Sequence, residues 1–367
     1  MVYKVIGLMS GSSLDGLDIV FVQLQERGGK WSYTLEAAAC YEYEEEWKSR
    51  LMRAPGLSAR EYLLLHADYG HYLGKKVNAF LEEMNLQLQA HLIASHGHTV
   101  FHLPEQGMTA QLGDGAAIAA ETGLAVVSDL RALDVALHGQ GAPIVPVGEQ
   151  LLFPGYPLLL NIGGIANLSA TNGNGHIAFD ICPANAILNA LAGRLGKSFD
   201  EGGQLARGGQ VNPALLERLN ALPYYRQPYP KSLDNSFGAS TVLPLLQQSG
   251  LSVQGQLRTY TEHIAQQTDR AVRQLCAARA VPEGPLEMLV TGGGAFNGFL
   301  TEQIGHLLRA QQVEIVIPED AVVKYKEALI MALLGLLRWR EAPTTLRSVT
   351  GASRGSIGGA LWMGQEG

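Results

Sequence analysis

Cysteine is scarce in this chain: three residues, Cys40, Cys182 and Cys276, among 367. Their wide spacing excludes the paired-ligand patterns of zinc sites, and an odd, scattered set argues against a disulfide framework. Reduced thiols and a cytoplasmic location are expected. Cationic charge is short as well, the formal net charge being −7. Nucleic-acid and acidic-membrane partners, which need a cationic surface, are therefore not expected. The longest apolar run near the C-terminus, residues 328–337, is too short to span a bilayer. The opening MVYKVIGLMSG has neither the basic start nor the long apolar core of a secretory signal. Neither the glycine-bearing turn at 7–18 nor the one at 161–164 is a P-loop, because no Gly-Lys-Ser/Thr follows either and a strand, not a helix, comes next. There is no low-complexity segment or long charge run, and residues 42–46, EYEEE, read as a solvated face.

Glycine-bearing strand ends are what the sequence does have. Residues 157–185, PLLLNIGGIANLSATNGNGHIAFDICPAN, read as strand, tight turn at Gly163-Gly164, strand, loop, and a strand ending at Asp180. Paired glycines let backbone N–H groups approach a ligand closely, and such a nest of amides binds phosphate. Asp180 beside it is a candidate general base, or alternatively the cap of the helix that follows. Residues 3–6 and 19–24 repeat the pattern, flanking a turn with Gly11, Ser12, Ser13, Asp15, Gly16 and Asp18. A third glycine cluster, Gly292-Gly293-Gly294, closes a strand at 286–290 and precedes a helix at 298–310, the edge at which open α/β sheets bind nucleotides.

Between these ends, apolar residues recur at helical spacing over 58–86 and 326–339. Helices are also expected at 185–195, 213–222 and 257–280, with one opening at 110–115. Strands are expected at 91–94 and 124–127. Alternating strands and helices give an α/β chain, and the Gly- and Pro-rich segment 138–143 is the first candidate domain boundary. His96, His98 and His102 lack a familiar zinc spacing and read as polar lining. Cys182 has no obvious partner as a nucleophile.

The segments GLMSGSSLDGLD at 7–18, SHGHT at 95–99, QLGD at 111–114, GQGAP at 139–143, NIGGIANL at 161–168 and TGGG at 291–294, in that order over essentially the whole chain, resemble the 1,6-anhydro-N-acetylmuramic acid kinases. These belong to the superfamily of acetate and sugar kinases, heat-shock ATPases and actin. The resemblance implies two actin-like (ribonuclease H-like) α/β lobes with a nucleotide cleft between them, the first lobe spanning 1–135 plus about 341–367 and the second 136–340. It implies ATP and Mg²⁺ as cofactors, an amino-sugar substrate and a homodimer.

On the same resemblance, Gly11, Ser12, Ser13, Asp15, Gly16 and Asp18 form the first phosphate loop. Asn161, Gly163, Gly164 and Asn167 form the second, and Gly292, Gly293, Gly294 and Asn297 the adenosine loop. Asp180 takes the proton of the water that opens the anhydro ring, while Glu327, Asn185 and His98 contact the sugar. Asp15 and Asp18 are the nearest carboxylates for a metal, or else turn caps; the metal ligands are left open. Met9 and Asn161 stand where the superfamily usually has Asp. Departures from the family pattern fall on the sugar side: Ile181-Cys182-Pro183-Ala184-Asn185 where Thr-Gly-Pro-Gly-Asn is common, His98 for Gln, and 231–235, KSLDN. Ser12 for Thr keeps the hydroxyl. An ordinary amino-sugar 6-kinase and a non-catalytic ATP-gated binding protein are the alternative readings.

Overall fold

The computed structural model describes residues 1–11, 14–171, 175–229, 231–234 and 236–364. Its strands are β1 (Val2–Ser10), β2 (Gly16–Arg27), β3 (Lys30–Glu42), β4 (Leu92–Leu103), β5 (Met108–Leu112) and β6 (Val126–Ser128), then β7 (Leu158–Ile162), β8 (Ile165–Thr171), β9 (His176–Pro183), β10 (Leu286–Thr291), β11 (Val313–Val316) and β12 (Ala360–Trp362). The helices used below are α1 (Ala59–Glu83), α2 (Gly115–Thr122), α3 (Val145–Leu152), α4 (Asn185–Gly193), α5 (Val253–Ala277), α6 (Gly298–Leu308) and α7 (Asp320–Trp339). None of the described helices is long and apolar enough to cross a membrane.

The chain divides into two compact units, Met1–Phe153 with Tyr325–Gly367, and Pro154–Lys324. Both boundaries depart from the expected 135 and 340. Helix α3 packs on β3, and its buried Glu149 pairs with Lys326 at 2.8 Å. That contact draws residues on both sides of the expected boundaries into the first unit.

In the first unit the sheet runs β12-β6-β4-β1-β2-β3, with β5 paired to β4. Strands β1, β2 and β3 are antiparallel neighbours, whereas β4 lies parallel to β1 and β6 parallel to β4. The core beneath it gathers Ile6, Phe21, Tyr69, Leu73, Phe80 and Ile118. Helix α1 begins at a capping box in which Ser58 accepts from the Glu61 amide and the Glu61 side chain accepts from the Ser58 amide, which satisfies two orphan donors of the first turn. Helix α7 covers β1 at Gly7, where a Cβ would lie 2.0 Å from the Ala328 carbonyl oxygen. No other residue type fits there. The segment after residue 340 lies in this unit: β12 adds antiparallel to β6 and Trp362 Nε1 donates to Ser128 Oγ at 3.2 Å.

The second unit has its own sheet, β11-β10-β7-β8-β9. Strands β7, β8 and β9 are antiparallel neighbours, β10 is parallel to β7, and β11 to β10. The order and strand senses repeat those of β1-β2-β3 with β4 and β6, the ribonuclease H-like order expected for both lobes. Its core joins the sheet to α4, α5 and α6 through Leu160, Leu188, Tyr260, Ile264 and Leu300.

Three local expectations are corrected. Residues 108–112 form a strand hairpinned to β4, and α2 starts at Gly115 because Asp114 caps it, accepting from the Ala116 amide at 2.9 Å. Helix α7 starts at Asp320, with a break at Tyr325 (φ −116°, ψ 17°). Strand β3 was not anticipated: it alternates half-buried with exposed positions, as an outer strand does.

Candidate functional site

In the first unit the sequence-selected residues gather at the ends of β1, β2 and β4. Ser10 stands opposite His98 in the β1–β4 register, and His98 Nδ1 and Ser10 Oγ lie 3.2 Å apart. The Tyr43 hydroxyl donates to the same Ser10 oxygen at 2.8 Å. Asp18, opposite Met9, is half-buried; burial, offset by a hydrogen bond from Cys40 and reinforced by Glu327 and Asp15, pushes its carboxyl up to about 6. Crowding of like charges is what a bound cation relieves. Gly16 is glycine for packing reasons, since a Cβ would fall 2.7 Å from the Tyr41 carbonyl oxygen. Gly11 and the exposed Asp15 flank the turn; Ser12 and Ser13 lie outside the described residues.

Arg131 was passed over as a site residue by the sequence reading. It is half-buried, and loss of solvent around its guanidinium pushes it down to about 10 while Glu327 pulls the other way. Its Nε donates to His96 Nε2 at 2.9 Å and its Nη1 to the Gly141 carbonyl at 2.7 Å. His96 Nδ1 lies 2.8 Å from the Gly97 carbonyl, so this ring is neutral with its proton on Nδ1. Burial and then Arg131 push its pKa down to about 3. His96 thus lies against Arg131 and His98 against Ser10, whereas His102 Nδ1 is 3.1 Å from Thr109 Oγ1. Among the described residues no three His, Cys, Asp or Glu side chains form a metal-ligand group.

In the second unit the β7–β8 turn, the head of α4 and the loop after β10 meet. The Ala184 and Asn185 amides donate to the carbonyls of Gly164 and Gly163 at 2.7 and 3.0 Å. The Asn185 carboxamide donates to the Ile162 carbonyl at 3.0 Å. Neither Gly163 nor Gly164 has a positive φ, and a Cβ on either would meet nothing closer than 3.5 Å. Their glycine identity answers no demand of the fold; it leaves open space over the turn. Gly292 and Gly294 differ. Gly292 has φ +79° and would press on Asn161 Oδ1 at 2.7 Å, and Gly294 on Ile162 at 2.2 Å, so these two let the loops close on each other. Gly293 is exposed beside Asn185. The Asn297 side chain caps α6, accepting from the Leu300 amide at 3.0 Å.

Asp180 lies within β9, opposite Asn167, next to a bulge between Ala166 and Asn167; bulges re-aim side chains. Its amide donates to the Lys231 carbonyl at 3.0 Å, and its carbonyl accepts from the Tyr224 hydroxyl at 2.7 Å. Oδ2 accepts from the Leu233 amide at 2.8 Å. Burial raises the carboxyl above its ordinary range and the Leu233 amide opposes this. The helix-cap reading of Asp180 is overturned: the residue at the N-cap of α4 is Ala184, with no side-chain cap. Cys182 is wholly buried, its thiol pushed up chiefly by burial, which excludes a thiolate nucleophile. A groove of about 960 Å³ between α6 and β11 contains none of these residues.

The family model described as anhydro-N-acetylmuramic acid kinase matches residues 3–364. The chain is 36% identical to the anhydro-N-acetylmuramic acid kinase of Gloeobacter violaceus, over 95% of this chain and 96% of that protein. It is equally 36% identical to that of Methylobacterium nodulans, over 97% and 98%. Among solved structures, the activator of the 2-hydroxyisocaproyl-CoA dehydratase from Clostridium difficile with bound ADPNP matches over 92% of this chain and 96% of that one, at 13% identity and a TM-score of 0.46.

Proposed function

This chain belongs to the anhydro-N-acetylmuramic acid kinase family, and from that premise we propose that it couples phosphorylation of the sugar by ATP to hydrolytic opening of its 1,6-anhydro ring, with Asp180 as the general base. Asp180 accepts a proton from water as the water oxygen attacks C1. The C1–O6 bond breaks with its electron pair going to O6. O6 attacks the γ-phosphorus, and ADP leaves. The products are N-acetylmuramic acid 6-phosphate and ADP.

The observation that carries this reading is the holding of Asp180. The Lys231 carbonyl holds its amide, the Tyr224 hydroxyl its carbonyl and the Leu233 amide its Oδ2, while Oδ1 accepts from no described residue. Burial holds the carboxyl above its usual range, which makes the carboxylate a stronger base than an exposed one. Asn185, Glu327 and His98 read as sugar contacts, with His98 Nδ1 also lying against Ser10 Oγ.

Gly163 and Gly164 offer their uncovered turn to phosphate. Phosphoryl transfer asks of a protein chiefly positioning and charge neutralisation. A bound Mg²⁺ would supply neutralisation of the phosphate charge, with Asp18 and Asp15 holding it or its waters; Mg²⁺ commonly takes only one or two carboxylates, with waters and phosphates completing its shell.

Mass spectrometry of the product made in ¹⁸O-labelled water, read before the anomeric oxygen exchanges, tests the proposal. Labelled N-acetylmuramic acid 6-phosphate from the parent, falling roughly 10²- to 10⁴-fold in rate with Asp180→Asn, is expected. Undiminished product from the variant would remove Asp180 from the chemistry. Phosphorylation confined to sugars with a free 6-hydroxyl would make the protein an ordinary amino-sugar kinase.

A further inference from the structure

Beside β9 lies a small cavity lined by Phe179 and Ile181, by Lys231, and by Gln267, Arg270 and Gln274 of α5. Asp180 is not among its lining residues. The cavity measures about 10 Å³, room for one particle the size of a water molecule.

Its charge is unbalanced. No carboxylate lines it. Asp269, next to Arg270 in sequence, is engaged elsewhere, with Arg273 at 2.7 Å and Gln311 at 3.5 Å. The Lys231 ammonium donates to the Tyr224 carbonyl at 3.3 Å and sits 4.5 Å from the centre of the Tyr224 ring. Arg270, exposed at the rim of the cavity, has no hydrogen-bond or ion-pair partner among the described residues. Burial first, and Arg270 second, hold Lys231 below the ordinary lysine range. Two cations at one hole with no counter-charge favour an anion there. A phosphate or carboxylate group is too large to enter whole, which leaves a monatomic anion.

We propose that this cavity is a halide site, occupied by chloride in solution and held by Lys231 and Arg270 with the Gln274 carboxamide as a further donor. The ion fixes Lys231, whose carbonyl accepts from the Asp180 amide and whose second neighbour along the chain, Leu233, donates to the carboxylate. Only this link to Asp180 rests on the proposed chemistry; the site itself does not.

Crystals grown with bromide in place of chloride, measured for anomalous scattering, test it. A peak within hydrogen-bond reach of Lys231 Nζ and the Arg270 guanidinium is expected in the parent and lost in Arg270→Met and Lys231→Met. A second measurement follows thermal unfolding in sodium bromide against sodium gluconate at equal ionic strength. A ligand that binds only the folded state raises the midpoint, so bromide raises it for the parent and leaves the variants unmoved. Absence of the peak, its persistence in both variants, or a midpoint indifferent to bromide would overturn the site. Neither readout involves the kinase reaction, so its failure and that of the kinase reading are separable.

Discussion

The Leu233 amide donates to Asp180 Oδ2 at 2.8 Å, and the two residues are 53 apart in sequence. This bond stabilises the ionised carboxylate, while burial, the larger effect, works against it. A base must be ionised to act, so kcat falls as pH drops through the raised pKa. The acid limb of kcat is expected above the ordinary aspartate range. Leu233→Pro, which removes the donor, moves it higher still. Asp18→Asn separates this limb from any contribution of Asp18, whose carboxyl is pushed up to about 6 chiefly by burial. A limb that stays in the ordinary range in the parent would contradict the assignment.

The glycines divide into two kinds, and substitution separates them. Gly7→Ala and Gly294→Ala press a Cβ to within 2.0 Å of a backbone oxygen and 2.2 Å of Ile162, respectively. Overpacking of this kind costs about 1–3 kcal/mol or more. Gly164→Ala meets nothing closer than 3.9 Å and is expected within about 0.5 kcal/mol of the parent, yet with a raised KM for ATP. Denaturant unfolding and steady-state kinetics on the three variants check both halves.

Lys326 and Glu149 form an ion pair whose side chains are 5% and 4% exposed. Truncating one partner of a buried pair leaves the other uncompensated, at a cost of about 3–5 kcal/mol. Lys326→Met is therefore expected to destabilise the first unit by this much. Lys326→Met combined with Glu149→Leu recovers a large part of the loss. A double variant as unstable as the single one would show that the pair is replaceable by neither apolar packing nor relaxation.

His263 gives stability a pH dependence. It is fully buried in α5, with Nδ1 2.7 Å from Asn220 Oδ1, and burial pushes it down to about 3. Its folded pKa is below the unfolded value near 6.5, so the unfolded chain binds the proton first. Its contribution is fully present above about 6.5 and is lost as pH falls toward 3. His263→Gln is expected to flatten the decline of unfolding free energy over that window, read from urea unfolding at several pH values.

Glycine made much of the site legible, because Gly163, Gly164 and Gly292–Gly294 mark strand ends in any reading. The paired Gly-rich turns also marked the β1–β2 and β7–β8 hairpins, though not the strand order around them. Strand β3 was not read because it carries no such mark and its alternation is only between half-buried and exposed. The partners of Asp180 were invisible for a different reason: Lys231 and Leu233 contribute backbone atoms, which every residue possesses. Arg131 was visible as a residue but not as a site component, since its burial depends on His96 and Gly141 converging from separate segments. Asn297 shows the converse, a residue chosen by motif whose side chain is taken up as a helix cap.

The division of the chain has a consequence for its synthesis. Residues 154–324 form one continuous unit, whereas the first unit is completed by residues from 325 onward, including the strand that pairs with β6. On the ribosome the interior unit can therefore reach its native contacts while the earlier-made segment still waits for its last helix and strand. Newly made chains arrested at residue 324, with a tether long enough to clear the exit tunnel, are expected to resist protease over 154–324 and to remain cleavable within 1–153.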